Sequence, residues 1–394
     1  MKLLKISFDI LQMSGFWRPP EWTGLKKWLY NLYTLLMIYT LYSVTFTQLI
    51  ELLRSIENVD EFINNSLILL TTTNACVKVF NILRNRDEIL KMINSLLTNP
   101  CCPRDDDERM IQHKYDMGIK WNSIMYAVLT ELSVFGVNMG SVLEDIPKRT
   151  LAYKTWLPYD YNKSELIYWM TYINQLIADA LGSFVNISYD TLVPGCMMQT
   201  CAQFEIFKHR LNKLCNIPHN IDTISQKSTT NLLSNEKTQQ IIEQKIVADC
   251  VQHHLNIFEL KTANNIFAYS IFFQYSVSLV VICASVYGLS NVDPFTTEFT
   301  YIIVYLICMT VQIYIFCFYG TIVTHKSINL SDNIHGLDWA ALSIPTKKSL
   351  LIIMTRTSRP IQFTSGHIVV LCLDSFNKLL KLSYSAYNVL QQTG

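Results

Sequence analysis

Seven stretches of this 394-residue chain are apolar over the roughly 20 residues that an α-helix needs to cross the hydrocarbon core of a bilayer. Six are plain: 28–53, 62–83, 121–143, 166–192, 266–289 and 299–324. The seventh, 367–392, is interrupted by Asp374, Lys378 and Lys381. Charged residues make up 16% of the chain, against about a quarter in soluble domains, and they cluster between the apolar stretches. A soluble globule is thereby excluded, and a net charge of +1 leaves no basic footprint for nucleic acid. Lys5 and Asp9 break up any apolar run at the start, so no signal peptide is expected. The expected fold is all-α, a single seven-transmembrane helical bundle over residues 1–394.

Orientation follows from the basic residues. With seven spans and the N-terminus inside, the cytoplasmic segments hold 24 Lys and Arg, and the external loops hold five: Arg54, Lys148, Arg149, Lys154 and Lys163. This asymmetry predicts a cytoplasmic N-terminus and an extracellular C-terminus, opposite to a G-protein-coupled receptor. The eleven cysteines then fall in spans or on the cytoplasmic side, which excludes an ectodomain stapled by disulfides. Asn162-Lys163-Ser164 is a glycan acceptor in the second external loop, a weak signal because such tripeptides are common by chance.

The largest insertion, 204–265, follows span four. Its middle, 216–237, is rich in Asn, Ser and Thr and reads as flexible, whereas 205–214 and 239–263 read as helices that continue spans four and five below the membrane. A second cytoplasmic stretch, 325–366, carries basic residues and Pro360 shortly before the last helix.

On the last helix Asp374, Lys378, Lys381, Ser385, Asn388 and Gln392 recur at steps of three and four and form one polar stripe. Such a stripe must face protein or water. Around an axis shared by several copies it lines a conduit, with Leu382 and Val389 in a neighbouring apolar row that gates by dewetting. The alternative is a helix buried in the bundle with satisfied polar contacts. In span three, Ser133, Gly136 and Gly140 share a face, which reads either as close helix packing or as space for a ligand. In the ligand reading Tyr301 and Tyr305 of span six supply aromatic walls, and Thr71, Thr72 and Asn74 of span two, with Tyr172, Ile173 and Ile177 of span four, lie at comparable depth. A pocket so lined suits small volatile or lipid-like molecules. Glu131, Asp179 and Lys78 lie within spans, marking either a functional path or a helix-to-helix hydrogen bond, with the second reading favoured. His253 and His254 are adjacent, so they cannot both face Cys250 from one side of a helix, and no second ligand pair follows. No metal or cofactor is expected, and the absence of HExxH, GxSxG, Walker and GxGxxG motifs leaves an enzyme reading without an anchor.

The run 375–390, Ser-Phe-Asn-Lys-Leu-Leu-Lys-Leu-Ser-Tyr-Ser-Ala-Tyr-Asn-Val-Leu, closely resembles the C-terminal signature of insect odorant receptors. Leu350 to Met354 with Arg359-Pro360, Asp332 to Trp339, Cys201 to Phe204, Cys250 to His254 and Trp156 to Asp160 are also similar, so the resemblance covers essentially the whole chain. It implies an odorant-gated, non-selective cation channel that assembles as a tetramer with a shared co-receptor subunit. Its place would be the cell membrane of the olfactory sensory neuron dendrite, among membrane lipid. It further implies that the last helix lines the pore, that 204–265 and 325–366 form a cytoplasmic anchor region, and that a volatile odorant or pheromone binds between spans two, three, four and six. Thr72, Ser133, Gly136, Gly140, Ile173, Ile177, Tyr301 and Tyr305 are the expected ligand-binding residues. Leu382, Ser385, Val389 and Gln392 are the expected pore residues, with Val389 at the position of the family's hydrophobic gate. Gly140 departs from the pattern, standing where a relative carries a large aromatic. The short second cytoplasmic loop is similar to that of a ligand-tuned subunit rather than the co-receptor. The main alternative is a seven-helix metabotropic chemosensory receptor; a transporter is a weaker one, because no inverted repeat is visible.

Overall fold

In hydrocarbon a backbone has no water to bond to, and a helix satisfies its polar groups within the segment. The computed structural model is accordingly helical almost throughout: α1 (Lys5–Met13), α2 (Gly24–Arg54), α3 (Val59–Arg84), α4 (Arg86–Leu97), α5 (Asp106–Lys148), α6 (Glu165–Ser225), α7 (Leu232–Glu259), α8 (Thr262–Asn291), α9 (Thr297–His335), α10 (Ile344–Thr357) and α11 (Leu373–Thr393). A small hairpin precedes α11, formed by β1 (Thr364–Ser365) and β2 (Val369–Val370), antiparallel with Thr364 opposite Val370. The structure describes residues 3–55, 59–225, 232–259, 262–293, 296–340 and 342–393; within these, some side chains are outside the description, those of 215–225, 232–240, Tyr301 and Gln392 among them.

Helix starts follow local chemistry. Asp105 Oδ1 accepts the Glu108 N–H at 2.8 Å, the Glu108 carboxylate accepts the Arg104 N–H at 2.8 Å, and Asp106 and Asp107 add negative charge at the positive end of α5. Thr296 caps α9 by accepting the Phe299 N–H at 3.1 Å. α2, α3, α5, α8 and α9 carry stretches long and apolar enough to cross a membrane. α6 packs among them against α5, α9, α3 and α2, and α11 packs on α8 and α9.

α5, α6 and α9 have 43, 61 and 39 residues, roughly twice the 20 or so of a span, or more. Their extensions join α1, α4, α7 and α10 at one end of the bundle, termed here the anchor end. The α2–α3, α5–α6 and α8–α9 connections lie at the other, the loop end. Two expectations need correction. Much of 216–237 is helix, since α6 runs on to Ser225 and α7 starts at Leu232, with 226–231 outside the described residues. The last helix starts at Leu373 rather than near residue 367, because Gly366 and His367 both take a φ of 60°, which a right-handed helix does not admit.

The main core gathers residues such as Phe8, Trp17, Ile82, Ile93, Val193, Phe207, Ile257, Phe267, Leu350 and Phe363, mostly toward the anchor end. A smaller cluster of Val277, Val281, Ile282, Met309, Ile313, Cys317 and Leu379 joins α8, α9 and α11. The hairpin ties α11 to both. The Gly366 N–H donates to the Ala268 carbonyl at 2.8 Å, the Thr364 N–H to Asn264 Oδ1 at 2.6 Å, and the Leu373 N–H to Thr321 Oγ1 at 3.0 Å.

Candidate functional site

A buried polar layer crosses the bundle. Lys78 Nζ on α3 lies 2.8 Å from Asp190 Oδ1 on α6, and the two side chains are 0% and 1% exposed. Lys78 also donates to Asn186 Oδ1 at 2.9 Å and sits 5.4 Å from the centre of the Tyr189 ring. The Asp190 carboxylate further accepts the Tyr126 hydroxyl of α5 at 3.1 Å, the Gln274 amide of α8 at 3.1 Å and the Gln312 amide of α9. One carboxylate thus bonds to side chains from four other helices. A carboxylate accepts only, and each of these neighbours donates, so the desolvation cost is offset by charge-assisted bonds. A cavity of about 20 Å³, the size of a single water, lies beside Asp190 and is lined also by Tyr126, Asn122 and Tyr319.

The antiparallel register of α5 against its neighbours places the expected ligand residues above this layer. Asn138 Nδ2 donates to Asp179 Oδ2 at 3.0 Å and Ser183 Oγ to Glu131 Oε1 at 2.6 Å, so Gly140 of α5 stands level with Ile177 of α6. Ser133 Oγ meets Cys308 Sγ of α9 at 3.1 Å, and Asn122 bonds to Tyr319, which sets Gly136 level with Tyr305. Tyr126 and Gly136 are ten residues apart, a rise of about 15 Å toward the loop end. A side chain added at Gly136 or Gly140 would meet nothing within 4 Å. Ile173 and Ile177 are exposed on α6, and Tyr305 packs on the α8–α9–α11 cluster. The Thr72 hydroxyl donates to Gln48 Oε1 of α2 at 2.9 Å. The α5–α6 connection is fastened over this region. Gln175 bonds to the Tyr153 backbone at 3.1 and 3.2 Å and to Thr155 at 2.9 Å, and the Arg54 guanidinium lies 5.0 Å from the Trp156 ring centre.

α11 has two faces. Ser375, Leu379 and Ser383 are buried against α8 and α9, and the Tyr275 hydroxyl donates to the Ser375 carbonyl at 2.7 Å. Asp374, Lys378, Lys381 and Ser385 are exposed on the other side, where Leu382 and Val389 stand 55% and 60% exposed.

At the anchor end, Arg210 of α6 is clamped by Glu108, with Nε–Oε1 at 2.8 Å and Nη2–Oε2 at 2.7 Å, and also donates to the carbonyls of Pro100 and Cys102 at 2.6 and 3.1 Å. His253 bridges Arg210 and Gln203 at 3.2 and 2.8 Å, so both its ring nitrogens are engaged within the protein. Burial and the Arg210 charge hold His253 well below the ordinary imidazole pKa. His254 lies between Phe207 and Phe258, and burial pushes it down to about 4. Pairing with Glu108 raises the Arg210 pKa against the opposing effect of burial.

Asp190, Tyr126, Gln274 and Gln312 went unnoticed in the sequence. Their one signal was an acidic residue in span four facing the need for a partner to Lys78 in span two, and Asp179, which bonds to Asn138 instead, offered the same signal.

The family model described as 7tm Odorant receptor matches residues 58–384. The chain is 23% identical to Odorant receptor Or1 of Anopheles gambiae over 97% of its own length and 93% of that protein's. It is 22% identical to Odorant receptor 46a, isoform A, of Drosophila melanogaster over 87% and 85%. The fold superposes on the olfactory receptor OR5 of Machilis hrabei in complex with eugenol with a TM-score of 0.82, at 16% identity, covering 99% of this chain and 98% of that one. The structure of the same receptor described without that ligand gives 0.79 at 17% identity. The long apolar helices, their seven-membered packing and the match across most of its length place this chain in the insect odorant receptor family.

Proposed function

We propose that this chain is an odorant-gated, non-selective cation channel subunit acting with a shared co-receptor, its N-terminus cytoplasmic and its pore lined by α11. The observation that carries this reading is the exposed stripe on α11. Charged and hydroxyl side chains on a helix at membrane depth require water or protein, and the single chain leaves Lys378 and Lys381 exposed and bonds Ser385 only to the Lys381 carbonyl of its own helix. Four such stripes around an axis supply an aqueous path, with Val389 as an apolar constriction near its end.

A small volatile odorant or pheromone binds above the Asp190 layer, in the space left by Gly136 and Gly140 and walled by Ser133, Tyr305, Ile173 and Ile177. It acts by its higher affinity for the open arrangement of the α11 helices, since a ligand shifts a conformational equilibrium only by differential affinity. Tyr301, Thr72 and Gln392 belong to the same proposal. The test is patch-clamp recording from cells expressing the chain with the co-receptor while G-protein signalling is blocked inside the cell. Odorant-evoked current persists under the block in this reading; its disappearance would favour a metabotropic receptor. Labelling of a tag on Met1 in intact cells would overturn the orientation.

A further inference from the structure

At the anchor end, on the opposite side of the polar layer from the candidate odorant pocket, a cavity of about 160 Å³ opens between α4, α5, α6 and the residues before α1. Its walls are Leu3, Leu96, Leu97 and Pro103, and its polar floor is Asp116, Gln112 and Gln199. The floor is rigidly built. Gln112 and Gln199 each donate an amide hydrogen to Asp116 Oδ1, at 2.9 and 2.7 Å, and Gln112 donates its other to Gln199 Oε1 at 2.8 Å. Gln199 is 1% exposed, so the arrangement is held from below. Both amide bonds to Asp116 fall on the same carboxylate oxygen, and among the described residues no Lys, Arg or His pairs with Asp116. What the cavity presents to an entering molecule is a fixed negative charge, able only to accept hydrogen bonds, at the base of an apolar chamber.

We propose that this cavity binds a protonated amine carrying a compact apolar body. The volume matches the roughly 150 Å³ of an engineered apolar cavity that holds benzene, so an aromatic ring with one short aminoalkyl arm fills it. The ammonium donates to the second Asp116 oxygen, and the ring replaces water against the leucines. A carboxylate ligand is repelled, and a neutral ring leaves Asp116 without a counter-charge. Cys102, an exposed free thiol, also lines the cavity and reports on its occupancy.

The test uses the full chain purified in nanodiscs, with benzylamine hydrochloride at neutral pH as the probe and toluene and benzoate as its neutral and anionic counterparts. Two readouts are followed: saturable binding by ligand-observed NMR, and the rate of Cys102 alkylation by peptide-level mass spectrometry. Benzylammonium is expected to bind saturably and to slow Cys102 alkylation several-fold, with its dissociation constant raised at least tenfold by Asp116→Asn and by the cavity-filling Leu97→Trp. The second variant keeps its arm of the test if the first fails to fold. Equal binding of toluene, or benzylammonium binding that both variants leave unchanged, overturns the proposal. So does the lack of saturable binding to the wild-type chain. Because the readouts are binding and labelling, their outcome is separate from whether the chain conducts ions.

Discussion

Lys78 and Asp190, 112 residues apart in sequence, form a direct 2.8 Å ion pair in the middle of the bundle. Removing one member leaves the other as an uncompensated buried charge, which costs about 3–5 kcal/mol, whereas removing both charges together costs much less. Lys78→Met and Asp190→Asn are each expected to lower the thermal unfolding midpoint of the solubilised chain sharply, with the double variant recovering a large part of the loss. A double-mutant cycle on unfolding free energies checks this. If the double variant loses the sum of the two singles, the residues do not act as a pair.

The open space beside Gly136 and Gly140 separates folding from ligand binding. Gly136→Leu and Gly140→Phe are expected to reach the cell surface at near wild-type levels while shifting odorant potency by about tenfold, the scale of a pocket contact worth 1–3 kcal/mol. Dose–response curves beside surface biotinylation read the two effects apart. Loss of surface protein in both variants would mean that the glycines serve helix packing.

The two faces of α11 make opposite predictions for cysteine scanning. Ser385→Cys and Lys381→Cys are expected to react with a charged, water-soluble thiol reagent faster in the presence of odorant, with loss of current. Leu379→Cys, on the face buried against α8 and α9, is expected to stay inert. Equal reactivity on the two faces would remove α11 from the pore.

His254 ties the anchor end to pH. In the folded chain burial holds it neutral down to about 4, while in the unfolded chain it takes up a proton near the ordinary imidazole value of about 6.5. Between these values the unfolded state binds more protons, so stability falls as pH drops through this window and is fully present above it. The unfolding midpoint of the purified chain is expected to decrease from pH 7 to pH 5, and His254→Phe, which keeps an aromatic ring beside Phe207 and Phe258, is expected to flatten that slope.

Gly320 is the contact point between α9 and the strand-to-helix junction before α11. A Cβ there would overlap the Leu371 carbonyl oxygen, backbone that cannot rotate away. Gly320→Ala is expected to cost about 1–3 kcal/mol, the range for overpacking, and to impair α11 more than the rest of the fold. Thermal unfolding paired with odorant-evoked current measures both, with Gly136→Ala as the unhindered control.

Much of this architecture was legible in the residue order. Six apolar spans declare themselves by length, and the period of Asp374, Lys378, Lys381 and Ser385 marks one face of the last helix whatever its neighbours are. The start of α11 was misread because hydropathy does not register the left-handed turn at Gly366 and His367. The helical continuation of α6 past residue 215 was missed because Asn, Ser and Thr favour caps and turns only when nothing longer-range holds the helix.

By itself the sequence determined the all-α membrane class and the amphipathic character of α11, because each rests on apolar length or local period, and it carried the family resemblance in contiguous runs such as 375–390. The tertiary structure alone decided which polar residues meet. Asp190 and Asp179 look alike in an apolar span, yet one joins Lys78, Tyr126, Gln274 and Gln312, and the other joins Asn138. The physical reason is that a buried charge is tolerated only where donors converge on it, and convergence depends on how five helices are arranged around one another, which periodicity within any one of them does not encode.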